Sequence, residues 1–222
     1  MTKKSPFSPI ERRGFMLVLS SPSGAGKTTI AMEVLAKEKE LTLSVSVTTR
    51  PKRPSEKEGI HYFFVDDATF TDMVREEKFL EYAKVYGYFY GTPKASIEEL
   101  LVQGKDILFD IDWQGTQLLK QGALNDLVSV FVLPPSFKDL ETRLYNRGED
   151  SEVIVKDRMS KAQDECSHWA EYDYVIVNAN LEESIQKIRS ILQAERLKRR
   201  RQIGLASFVN RIRGSGFETN EG

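Results

Sequence analysis

The stretch that most constrains this chain is Ser21-Pro22-Ser23-Gly24-Ala25-Gly26-Lys27-Thr28-Thr29, set between the apolar run Phe15–Ser20 and the helical pattern Lys27–Lys39. A glycine-bearing turn that ends a strand and opens a helix aims backbone N–H groups and the positive end of the helix dipole at one point. A polyphosphate fits there. Gly24 and Gly26 let the backbone come close, with Ser23, Ala25 and Thr29 completing the cradle. Lys27 can reach the terminal phosphates of a nucleoside triphosphate, and the Thr28 hydroxyl can complete the shell of a Mg²⁺ otherwise held by phosphate oxygens and water. The pattern G-x-x-x-x-G-K-[ST] is met except at its first position, where Ser21 replaces glycine and must tolerate the backbone angles of the turn.

The rest of the chain repeats this alternation. Short apolar runs at Asp106–Ile111, Val128–Leu133 and Tyr174–Val177 are separated by helical patterns, which predicts a parallel sheet covered on both faces. The expected fold class is α/β, a P-loop NTPase-type sheet with helices around it. Residues 15–41, 93–135 and 169–202 form this core, after an aperiodic arm at 1–14 that is expected to be mobile and before a tail at 203–222 that is expected to be frayed. The basic run Arg196–Arg201 reads as the solvated end of a helix built on Ile185, Ile188 and Leu192.

Two stretches break the rhythm. In 42–92, Leu43, Val45 and Val47 alternate with Ser44, Ser46 and Thr48 as in a half-polar strand. Tyr62–Val65 and a helix carrying Phe70, Met73 and Val74 follow, so a small mixed α/β insertion is expected. Arg50 and Arg53 lie just after the half-polar strand and precede Glu56 and Tyr62. Two neighbouring guanidinium groups favour a phosphate monoester. In 136–168 a helix from Ser136 turns Leu140 and Leu144 inward, breaks at Arg147-Gly148 and leads to a second, charge-rich helix. On composition alone that pair is also a solvated hairpin. Asp110 and Asp112 end a strand, where carboxylates face the ligand crevice of a parallel sheet.

Composition limits the partners. With 32 Lys+Arg against 33 Asp+Glu the net charge is -1, so no overall field draws the chain to nucleic acid or membrane, and neither is expected as a partner. The single cysteine, Cys166, excludes an intramolecular disulfide framework and fits a reducing compartment. The run Phe15–Leu19 is too short for a signal-peptide core or a membrane span, so a cytoplasmic location is expected. Composition leaves the oligomeric state open.

The combination S-x-S-x-T-T-R-x-x-R at 44–53, E-x-x-G-x-x-Y at 56–62, Phe79-Leu80-Glu81, Tyr90-Gly91-Thr92 and Asp110-Ile111-Asp112-x-Gln114-Gly115 resembles the guanylate kinase family, ATP-dependent enzymes that phosphorylate GMP. The resemblance covers residues 15 to about 195. It implies that Ser46, Glu81 and Thr92 contact guanine and that Arg50, Arg53, Tyr62 and Tyr90 hold the GMP phosphate. Glu56, Asp110 and Asp112 join that GMP set. It further implies that 42–92 is the GMP-binding region and 136–168 a lid whose Arg147 and Arg158 reach over the ATP phosphates, with Asn178 near the adenine. ATP and GMP are then the substrates and Mg²⁺ the cofactor. Ser21 and Ser55 stand where the family usually has glycine, and Thr92 where serine also occurs.

The chemistry agrees once a purine is assumed. Guanine offers N1–H and its 2-amino group as adjacent donors, which one carboxylate such as Glu81 can accept, while hydroxyls such as Ser46 and Thr92 serve O6. Adenine lacks that donor pair. Two other readings remain: a guanylate-kinase-like interaction module that has lost ATP binding, and a sugar-phosphate kinase on the same fold. The complete triphosphate loop speaks against the first and the purine-reading set against the second.

Overall fold

The computed structural model describes residues 10–54, 56–85, 87–123, 125–146 and 152–215. In chain order the elements are β1 (Met16–Ser20), α1 (Lys27–Lys37), β2 (Leu41–Leu43), β3 (Ser46–Thr48), β4 (Tyr62–Phe64), α2 (Asp67–Arg75), β5 (Phe79–Val85), β6 (Tyr88–Pro93), α3 (Lys94–Val102), β7 (Asp106–Asp110), α4 (Trp113–Ala123), β8 (Leu127–Leu133), α5 (Phe137–Asn146), α6 (Glu152–Ser167), β9 (Tyr174–Val177), α7 (Leu181–Arg196) and α8 (Leu205–Ser215), with 3-10 turns at His168–Glu171 and Arg199–Arg201.

Because β1 is apolar up to Ser20, it is buried on both faces. Side chains alternate across a strand, so Leu17 and Leu19 join Ile30 and Val34 of α1 and Ile188 and Leu192 of α7. Met16 and Val18 join Ile97 and Leu101 of α3 and Leu119 of α4 on the other face. The sheet runs β2-β7-β1-β8-β9 with every neighbouring pair parallel, as the alternating pattern predicts. With β1 at its centre, the loop after β1 and the end of β7 lie side by side at the carboxyl edge, where α/β sheets bind ligands.

A second sheet, ordered β4-β3-β6-β5, mixes one parallel pairing with two antiparallel ones. Phe70 of α2 stacks on Phe79 and Phe89 beneath it, at centroid distances of 4.7 and 5.3 Å. The half-polar strand expected across 43–48 is two strands. Leu43 pairs with Leu108 in the large sheet, while Ser46 pairs with Tyr62 in the small one. The insertion therefore begins after Leu43 rather than at residue 42. Two short strands laid end to end share one alternation, so the pattern alone cannot show the change of sheet.

Two expectations about the ends are corrected for the residues described. Arg12 lies against the core: it donates to Asp106 at 2.7 and 3.0 Å and to Glu40 at 3.0 Å. Arg13 bonds Asp126 and Glu98, and its N–H donates to the Arg201 carbonyl at 2.7 Å. The basic run is not simply solvated either. Arg196 bonds Asp106 and Glu38, and Arg201, only 1% exposed, bonds Glu195 and lies 4.5 Å from the Phe15 ring centroid. Much of the tail forms α8. The carboxylate partners lie up to 158 residues away in the chain, so no local window reveals them.

Candidate active site

The turn between β1 and α1 adopts the expected geometry. Gly24 and Gly26 have φ of +90° and +96°, a region that side chains disfavour, and a Cβ on Gly26 would come within 2.5 Å of Asn178 Nδ2. Ser21 needs no such freedom, because among the described residues Glu77 is the one non-glycine with positive φ. Replacing the first glycine of the pattern thus leaves the turn unstrained.

Lys27 is largely buried, its Nζ 2.5 Å from Asp110 Oδ1 and donating to the Ile111 carbonyl at 3.0 Å. Thr28 Oγ1 donates to Asp110 Oδ2 at 3.0 Å. Two helix side chains thus meet the strand-end carboxylate. A hydroxyl beside a carboxylate is a hard-oxygen pair that suits Mg²⁺. Among the described residues no cluster of three or more His, Cys, Asp or Glu could hold a metal ion.

Around the turn lies a cavity of about 700 Å³, reached also by Arg143, Leu144, Glu165 and Asn178. Arg158 of α6 donates to Ser23 Oγ at 3.2 Å, which puts it at the loop. Arg147 lies outside the described residues. Asn178 lines the cavity from below: Nδ2 donates to the Ala25 carbonyl at 2.8 Å, and Oδ1 accepts from Ser184 at 3.0 Å. Sequence reasoning missed Arg143, which donates to the carbonyls of Ala25 and Asn178 at 3.1 and 2.9 Å. Its signal was its place on the inward face of α5, between Leu140 and Leu144.

The small sheet sets four of the other candidates in a single row. Register pairs Glu81 of β5 with Thr92 of β6, and Ser46 of β3 with Tyr62 of β4. The β3–β6 pairing of Val47 with Gly91 and Thr48 with Tyr90 sets Ser46 opposite Thr92 when continued by one step. Directly paired residues share a face, so Glu81, Thr92, Ser46 and Tyr62 stand in line across the sheet. Thr92 Oγ1 donates to Glu81 Oε1 at 2.7 Å. Burial pushes the Glu81 carboxyl above the usual range and the nearby Asp112 charge adds to this, against the opposing Thr92 hydrogen bond. Asp112 itself accepts from the Gly115 N–H at 2.9 Å and caps α4.

Beside the row, Arg50 lies 2.5 Å from Glu56 and 5.5 Å from the Tyr62 ring centroid, and Tyr90 meets Tyr62 edge-on at 5.8 Å. Glu56 also accepts from the Arg53 N–H at 2.8 Å, and Arg50 holds its carboxyl below the usual range. The arginine segment is fixed by a carboxylate within its own loop.

A lysine-bearing phosphate loop at the carboxyl edge of a parallel sheet, facing a polar row on an inserted sheet, defines a nucleoside monophosphate kinase, a phosphotransferase. The guanylate kinase family model matches residues 13–195. The chain is 58% identical to a guanylate kinase of Rhodospirillum rubrum over 207 residues, 93% of this chain and 95% of that one. It is 55% identical to a guanylate kinase of Paramagnetospirillum magneticum, covering 92% and 96% of the two. A crystal structure of guanylate kinase from Anaplasma phagocytophilum matches with a TM-score of 0.72 and 39% identity over 90% of this chain and 95% of that one. The chain belongs to the guanylate kinase family.

Proposed function

We propose that the chain transfers the γ-phosphoryl group of ATP to GMP, and to dGMP, giving ADP and the nucleoside diphosphate. In the cytoplasm this reaction serves purine nucleotide metabolism and GMP recycling. The observation that carries the reading is the row Glu81–Thr92–Ser46 beside the fixed arginine Arg50. The row offers one carboxylate to paired donors and hydroxyls to an acceptor, which is guanine's pattern. ATP occupies the turn, where Ser23, Gly24, Ala25, Gly26, Lys27, Thr28 and Thr29 receive its phosphates. GMP lies on the small sheet, its phosphate met by Arg50, Arg53, Tyr62 and Tyr90. Glu56 acts one step back, holding Arg50 and the Arg53 backbone in place.

The acceptor is an anionic phosphate oxygen, so no general base is needed. The chain's part is to align two phosphates and neutralise their charge. Lys27 exchanges Asp110 for a phosphate, Arg50 holds the acceptor, and Arg158 brings a guanidinium to the loop from α6. Arg147 would add a second one from the same hairpin. Mg²⁺, when bound through Thr28 beside Asp110, supplies charge neutralisation on the phosphates. Asn178 acts beneath the loop as a support, and Asp110 and Asp112 act at the sheet edge, the latter through its charge toward Glu81. The insertion serves as the GMP-binding region and 136–168 as the lid.

A coupled assay with ATP-Mg²⁺ against GMP, dGMP, AMP, CMP and UMP tests this. Turnover is expected with the guanine nucleotides and at least about 10³-fold less with the others. Equal turnover of AMP would remove the guanine assignment.

A further inference from the structure

Helix α6 touches the phosphate loop through two side chains of opposite charge that meet on one residue. Arg158 Nη1 donates to Ser23 Oγ at 3.2 Å, and Glu165 Oε2 accepts from the Ser23 backbone N–H at 3.1 Å. Positions 158 and 165 are about two helical turns apart and share a face. Val155 and Ala162 on that side of α6 are buried with Ala25, Leu140 and Leu144, so the contact has an apolar seat and a charged edge.

The Ser23 N–H belongs to the turn that is shaped for a polyphosphate, and Glu165 lines the same cavity. A carboxylate oxygen and a phosphate oxygen are rival acceptors for one donor, and two anions repel at that distance. An arriving polyphosphate attracts Arg158 and repels Glu165. The two charges of one helix face therefore answer the same ligand in opposite directions, and only the carboxylate has to leave.

We propose that Glu165 is a positioning residue that holds α6 on the loop as a resident anion, and that a polyphosphate displaces it from the Ser23 N–H. This rests on the reading of the loop as a triphosphate site. Phosphate binding and release of this part of α6 are then linked, and each alters the other by the same free energy. The trigger is the charge of the polyphosphate rather than its base or sugar. Part of the intrinsic affinity of ATP goes into displacing the Glu165 carboxylate, while Arg158 stays at the loop.

The test compares wild type with Glu165→Gln, titrated with tripolyphosphate, ATP and adenosine by calorimetry, with hydrogen exchange read across α6. Glutamine keeps an acceptor for the Ser23 N–H and drops the charge. Tripolyphosphate and ATP are expected to bind about fivefold or more tighter to the variant, with adenosine unchanged. In wild type, tripolyphosphate is expected to speed exchange in the C-terminal half of α6, and in the variant this response shrinks. If circular dichroism shows that Glu165→Gln disturbs the fold, Glu165→Ala carries the same expectation. Wild-type or weaker tripolyphosphate affinity in a folded variant overturns the proposal. Failure of the wild-type chain to bind either tripolyphosphate or ATP overturns the triphosphate reading with it.

Discussion

The two sheets build their sites from different materials. The large sheet works through its backbone: parallel strands deliver a turn whose N–H groups, helix dipole and two left-handed glycines make a phosphate cradle. The small sheet works through side chains, set in line by strand register, with Thr92 buried and Glu81, Ser46 and Tyr62 half-buried. A backbone-built site tolerates changes of side chain except where a Cβ collides. A site built from a row tolerates changes nearby as long as register and charge are kept.

Substitutions can break this contrast. Lys27→Met removes the one side-chain charge that the cradle itself supplies, and kcat is expected to fall by about 100-fold or more with an unchanged circular dichroism spectrum. Retention of more than about a tenth of wild-type kcat would place the phosphates elsewhere. Gly26→Ala should be next, destabilising by about 1–3 kcal/mol in a denaturant titration, since φ is +96° and Asn178 leaves no room. A neutral effect there would mean that the turn relaxes freely.

On the row, Glu81→Gln should raise the KM for GMP about tenfold with the ATP parameters little changed. The sign of its pH dependence follows from burial. A carboxyl whose folded pKa is raised contributes stability below its unfolded pKa and loses it as pH rises through the folded value, so at neutral pH the charge is a cost. Glu81→Gln should therefore raise Tm by a few degrees at pH 7 while weakening GMP. In wild type, GMP binding should weaken on acidification at a higher pH than an ordinary glutamate would dictate, and the variant should lack that step. A lowered Tm in the variant would argue that the carboxylate is a structural partner. The smallest effect is expected from Ser21→Gly, with kcat and KM for ATP within about twofold of wild type, because Ser21 already has an ordinary backbone conformation.

The same contrast governs how much could be read from the chain. The phosphate turn, the parallel strands and α1 are local, so their signals sit within about ten contiguous residues. The row is not local. Ser46, Glu81 and Thr92 can be named by family resemblance, but that they stand opposite one another depends on register, and register depends on the chain leaving the large sheet at Ser44. Glu56 shows the same limit, since its motif position is visible while its grip on Arg50 is not. Arg12 and Arg196 both look solvated in sequence, and both converge on Asp106. A charge is exposed or buried according to partners that only the tertiary fold supplies.

The meeting of residues 11–13 with 201–204 has one more consequence. Arg13 N–H reaches the Arg201 carbonyl at 2.7 Å, and Gly204 N–H reaches the Glu11 carbonyl at 3.0 Å. These two segments therefore lie side by side, one leading into β1 and the other into α8. Joining these two points with a short linker in place of the segments outside them, α8 included, and cutting at an exposed turn such as Ile60 would give a circular permutant with every strand neighbour kept. Its new ends would lie beside the inserted sheet, which makes this chain a natural host for grafting a reporter there without lengthening the path through the core.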